Sequence, residues 1–209
     1  MKRTLLFTCL FAWCVMWPSA APAQSPTNAK PPTRTVERQI LTSTSLPAIR
    51  IRFEHPFKYI GTQNFILYER ARAEQFFFVD ADKGRRIKRM YMLQFEGYLP
   101  QVNATYDYPV AETVSIGGQT YIVNAETVPS ISAVVNQNPQ SDVARAVEFL
   151  RSKGYTLSDS VAYNRFVRLV DDAKRNEFIM VYIEAATSAA PPDKAFSARA
   201  QKGFVVLNK

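Results

Sequence analysis

From Ile40 to about Val135 the chain is rich in aromatic and β-branched residues, with apolar residues alternating at period two in short runs separated by turn signals. That period requires strands, because a helical face repeats every three to four residues instead. Ile49, Ile51 and Phe53 alternate with Arg50, Arg52 and Glu54 until His55-Pro56 interrupts the run, the mark of a half-buried strand. A long hairpin is expected around Asp82-Lys83-Gly84, with Gly84 left-handed in a three-residue loop. This register pairs Val79 with Ile87, Ala73 with Leu93 and Ala71 with Phe95. It gathers Ala71, Ala73, Phe77, Val79, Ile87, Tyr91, Leu93 and Phe95 on one covered face and sets Arg70 opposite Glu96 on the other.

Gly117-Gly118 predicts a second, two-residue hairpin turn, since both glycines tolerate positive φ. Helical spacing of Val143, Ala146, Val147 and Leu150 predicts a helix over Asp142 to Lys153, with Ser141 as N-cap and Gly154 just past its end. A third hairpin joins Phe166–Val170 to Phe178–Ile183. A short helix over Asp193 to Lys202 and a strand over Phe204 to Leu207 close the chain. Without strand-helix-strand alternation, the expected class is α+β: an antiparallel sheet built from hairpins with one or two helices packed on one face.

Residues 1–23 have the three regions of a secretory signal peptide: a basic start at Lys2-Arg3, an apolar run from Leu5 to Trp17, and Ala21-Pro22-Ala23 as cleavage site. Export to the periplasm or the extracellular space is expected. Both cysteines, Cys9 and Cys14, lie in this leader, so the mature chain would hold no disulfide, cysteine nucleophile or cysteine-ligated metal. Residues 24–39, with Pro26, Pro31 and Pro32, read as a flexible tether, and 40–209 as a single domain. Removing Lys2 and Arg3 leaves 24 basic and 18 acidic residues, a moderate excess spread along the chain. No transmembrane segment is expected in the mature chain.

No catalytic motif stands out. His55 is the single histidine and no serine sits in a nucleophile-elbow sequence. Asp80-Ala81-Asp82-Lys83-Gly84 has the look of a calcium loop, but the twelfth position is Tyr91 where glutamate is needed, so an ordinary turn is expected and no metal. Lys83, Arg85, Arg86, Lys88 and Arg89 form the densest basic run, near Phe76-Phe77-Phe78. Strand charges that face water and discourage edge pairing are the expected role of this run; as a partner, anionic lipid or glycan fits an exported chain better than nucleic acid, which is not expected. Glu69, Glu74 and Glu96 raise the question of a carboxylate pair, with pairing to Arg70 and Arg72 the expected role of Glu74 and Glu96.

The remaining clue is a pair of small residues. Ala71 and Ala73 leave a depression among Phe77, Tyr91, Leu93 and Phe95, to be filled by the Val143–Leu150 helix or by an apolar or amphipathic ligand with Gln75 or Glu69 as polar contact. The leading expectation is a non-catalytic, cofactor-free binding or envelope-associated module using the groove between sheet and helix. The alternatives are a cofactor-independent hydrolase working through carboxylates or His55, and a basic surface module for an anionic envelope component.

Overall fold

The computed structural model describes residues 33–109, 112–186 and 189–207. The leader and most of the tether lie outside these residues. The elements in order are β1 (Arg34–Glu37), β2 (Ile40–Ser43), β3 (Ile49–Phe53), β4 (Lys58–Leu67), β5 (Ala71–Ala81), β6 (Ile87–Tyr98), β7 (Thr113–Ile116) and β8 (Gln119–Val128). Then come α1 (Ile131–Gln137), α2 (Asp142–Ser152), β9 (Val161–Leu169), β10 (Asn176–Ala185), α3 (Lys194–Lys202) and β11 (Phe204–Val206). The strands form two antiparallel sheets, one ordered β1-β2-β3-β11 and the other β4-β5-β6-β10-β9-β8-β7, and the fold is α+β. β1 occupies the end of the stretch expected to be a tether, and α1 was not anticipated by the strand pattern.

The seven-stranded sheet is covered on both faces. One face carries Phe76, Phe78, Tyr91, Leu93, Phe95 and Phe178 into a core shared with Leu41, Ile51 and Phe53 of the small sheet and Phe196 of α3. The other carries Phe77, Val79, Met90, Met92, Ile179 and Val181 against Ala146, Phe149 and Leu150 of α2. This explains the unbroken apolar runs Phe76-Phe77-Phe78 and Met90-Tyr91-Met92-Leu93, because a strand buried on both sides has no polar alternation. Phe53 stacks on Phe78 with centroids 3.9 Å apart, and Phe77 stacks on Phe149 at 4.5 Å. Each such pair adds about 0.5–1.5 kcal/mol beyond the area it buries. α2 starts where the Ser141 hydroxyl accepts the Ala144 amide and stops at Gly154, whose φ of +76° lets the chain turn away.

The first hairpin differs from the expected register. Asp82 N–H donates to Arg86 O and Arg85 N–H to Asp82 O, so the loop is Lys83-Gly84-Arg85 and the left-handed residue is Arg85, not Gly84. A bulge then places Arg89 opposite Asp80 but Ile87 opposite Ala81, leaving Lys88 as the extra residue. One inserted residue exchanges the two faces for the rest of β6. Val79 therefore pairs with Met90, Ala73 with Glu96 and Ala71 with Tyr98. Tyr91, Leu93 and Phe95 lie on the face opposite Ala71, Ala73, Gln75 and Phe77, where Met90, Met92, Gln94 and Glu96 stand instead.

Candidate functional site

The reversal of β6 puts a row of polar side chains on the helix-covered face. Gln63, Gln75 and Gln94 lie side by side on β4, β5 and β6, and Glu96 follows Gln94 two residues on. Their amides point one way. Gln63 Nε2 donates to Gln75 Oε1 at 2.7 Å, Gln75 Nε2 to Gln94 Oε1 at 2.6 Å, and Gln94 Nε2 to Glu96 Oε2 at 2.6 Å. The chain of dipoles ends on a carboxylate, where negative charge is best placed to receive it. The second Glu96 oxygen accepts the Tyr106 hydroxyl at 2.8 Å.

Directly across the ladder from Glu96 stands Glu177 of β10. Both are buried, Glu177 to 3% exposure. Neither carboxylate has an ion-pair partner among the described residues, although like charges facing each other on one sheet are destabilising. Glu177 accepts the Tyr108 hydroxyl through Oε2, while Oε1 accepts no hydrogen bond among the described residues. Arg165 of β9 reaches only the Tyr108 hydroxyl, at 3.1 Å, and lies over that ring. Burial pushes the Glu177 carboxyl up to about 7, with the Tyr108 bond opposing and the Glu96 charge adding. Glu96 is raised for the same first reason, against the bonds from Tyr106 and Gln94.

The two tyrosines arrive on the segment between β6 and β7, which is tied down by backbone and by arginine. Tyr106 N–H donates to Lys174 O at 2.8 Å, and Arg175 donates to the carbonyls of Ala104 and Leu99. Tyr106 stacks on Tyr98 with centroids 4.4 Å apart. Together Glu96, Glu177, Tyr98, Tyr106, Tyr108 and Arg165 wall a cavity of about 370 Å³ that also touches Ala71 and the exposed Tyr68.

A second cavity of about 440 Å³ lies between α1, α2 and strands β6, β8, β9 and β10. Its walls are Met90, Met92, Val147, Leu150, Val181 and similar apolar groups, and it shares Asp142, Arg165 and Ile179 with the first. Both volumes fall within the roughly 300–1,000 Å³ usual for ligand pockets. A third hollow, of about 610 Å³ beside Gly117, is rimmed by exposed residues such as Thr44, Arg50 and Gln119, and no carboxylate is among its lining residues.

Of the residues singled out from sequence, Ala71 lines the carboxylate cavity, Ala73 is fully buried opposite Glu96, and Gln75 is a link in the amide chain. Phe77 lies under Phe149, Glu69 is exposed in the β4–β5 turn, and Tyr91, Leu93 and Phe95 belong to the opposite core. Glu96 forms no ion pair with Arg70 or Arg72 among the described residues. Glu74 pairs with Arg34 of β1 at 2.9 Å rather than with Arg70 or Arg72. His55 is exposed beside Val79 and Asp80, at the far end of β5 from the carboxylates. The basic run is partly committed, Arg86 to Asp82, Arg89 to Asp80 and Arg85 to the Lys153 carbonyl, and Phe76, Phe77 and Phe78 are buried beyond the reach of a stacking base.

Sequence reasoning missed Glu177, Tyr106, Tyr108 and Arg165. A signal was present in Gln94 and Glu96, polar at alternate positions of an otherwise apolar strand, and in Glu177 opening the apolar run Phe178 to Ile183. Comparison of the chain with models of known families, with curated proteins and with solved structures gave no match.

Proposed function

We propose that this protein is an exported, non-catalytic binding module that takes a small amphipathic ligand between α1, α2 and the seven-stranded sheet. The carrying observation is the apolar cavity of about 440 Å³ that shares three walls with a polar one. An apolar chamber gives affinity by burial, and a few buried polar groups at its side give orientation. The signal-peptide pattern of residues 1–23 supports work in the periplasm or outside the cell. Among the described residues no helix is long and apolar enough to cross a membrane.

The test is binding of an environment-sensitive apolar dye to the mature chain. Saturable binding is expected in the wild type and loss of it in Val143→Phe, which fills the cavity from a half-buried position on α2. Undiminished dye binding by a folded Val143→Phe would remove the reading.

A second reading is favoured by one observation. A carboxyl held near 7 beside another carboxylate can give and take protons at neutral pH, which is what a cofactor-independent hydrolase requires. Binding leads because both Glu96 oxygens already accept hydrogen bonds and the single histidine stands at the other end of β5. Turnover of simple esters or glycosides by the wild type, abolished by Glu177→Gln with the fold intact, would reverse that order.

A further inference from the structure

We propose that the carboxylate cavity receives the protonated amine head group of the bound ligand, held by Glu177 and Glu96 and flanked by tyrosine rings. This rests on the binding reading above and names the ligand class as an amphipathic amine. Four observations carry it.

First, the cavity is short of positive charge. Its walls hold Glu96, Glu177 and Asp142 against Arg70 and Arg165, so one monovalent cation balances it when all are ionised. Second, Glu177 is buried and keeps one oxygen, Oε1, without a hydrogen bond among the described residues, while its carboxyl borders the cavity. An oxygen without a donor at a cavity wall can accept from a group that enters the cavity. Third, the nearby arginine does not fill that role. Arg165 is spent on the hydroxyl and ring face of Tyr108, and Arg70 is exposed in the β4–β5 turn. Fourth, Tyr98, Tyr106 and Tyr108 surround the same space, and aromatic rings attract a cation through their faces.

The shared walls then set the rest of the ligand. Asp142, Arg165 and Ile179 border both cavities, so a head group at Glu177 has its apolar part directed between α1 and α2 and the sheet. A carboxylate or phosphate head is disfavoured by the same charge count, and a neutral alcohol forms no ion pair with Glu177.

The experiment is calorimetric titration of the mature chain at pH 7 with octylammonium, 1-octanol and octanoate, which share one tail. Octylammonium is expected to bind at least tenfold tighter than octanol, the usual weight of a charged hydrogen bond, and octanoate weakest of the three. Glu177→Gln and Glu96→Gln should each remove most of the amine preference, read as the ratio of octylammonium to octanol affinity within the same variant. Wild type alone gives an independent reading. Ion pairing favours ionised Glu177, so amine binding should release protons, seen as a dependence of the measured heat on the buffer's ionisation enthalpy. Octanol and octylammonium binding equally would overturn the amine assignment and leave the binding reading standing. No binding of any of the three would overturn both.

Discussion

Replacing Glu177 by Gln should stabilise the protein at alkaline pH and leave it nearly unchanged in mild acid. The folded state holds this carboxyl up to about 7, whereas an exposed glutamate titrates at 4.5. Between those values the native chain binds more protons than the unfolded chain, so stability is fully present below about pH 4.5 and is lost as pH rises through about 7. At about 1.4 kcal/mol per pH unit the full loss amounts to about 3 kcal/mol. Glutamine keeps the shape and an oxygen for the Tyr108 hydroxyl, and its amide can donate toward Glu96. It does not ionise, and so escapes the loss. For a domain of this size the variant should melt roughly 6–12 °C above wild type at pH 8, with the two converging near pH 5. The carboxylates held low, Asp82, Asp159, Asp171 and Glu184, change charge below this window and do not mask the effect. Thermal unfolding followed by circular dichroism from pH 5 to pH 8.5 reads it directly. Wild type and Glu177→Gln running parallel across that range would refute the buried, unpaired carboxyl.

Phe149→Ala should cost about 3–5 kcal/mol in chemical denaturation, since its ring stacks on Phe77 and holds α2 to the sheet. Gly117→Ala should cost roughly 1–3 kcal/mol, because a Cβ there would meet Val206 at 2.7 Å on a backbone with φ of +57°. Gly84→Ala should stay within about 0.5 kcal/mol, since the left-handed residue of that loop is Arg85. Arg34→Ala should cost about 2 kcal/mol, as it ends the contacts with Glu74, the Leu46 carbonyl and the Phe95 ring at once, and a cycle with Glu74→Ala should show coupling above about 0.5 kcal/mol.

Local signals carried much of the architecture. The Gly117-Gly118 turn, the Ser141 cap, the Gly154 stop and the Asp193 start each act through a neighbouring backbone group, so a short stretch of residues suffices to reveal them. The register of β5 and β6 was not accessible in that way. Sorting apolar from polar positions fixes a register only when one face of a sheet meets water, and here the runs at Phe76 and Met90 are apolar on both. The bulge at Lys88 has no compositional mark either. The site followed the register: with Glu96 moved to the other face, its neighbour becomes Glu177, 81 positions further along the chain. That pairing is tertiary, as is the placement of Tyr106 and Tyr108 by Arg175.

The small sheet joins opposite ends of the described chain, β3 pairing with β11 through Ile51 and Val206. Closing a loop of that length costs about 4–5 kcal/mol of chain entropy, so this pairing forms late, after the local hairpins exist. A chain still being synthesised cannot complete the four-stranded sheet until β11 is available to pair with β3. Fragments that stop before Phe204 keep an open edge on β3 and an uncovered Phe53 ring, a surface that proteases cut and that other unfinished chains join. β11 thus makes closure of the small sheet conditional on residues far along the chain from β3.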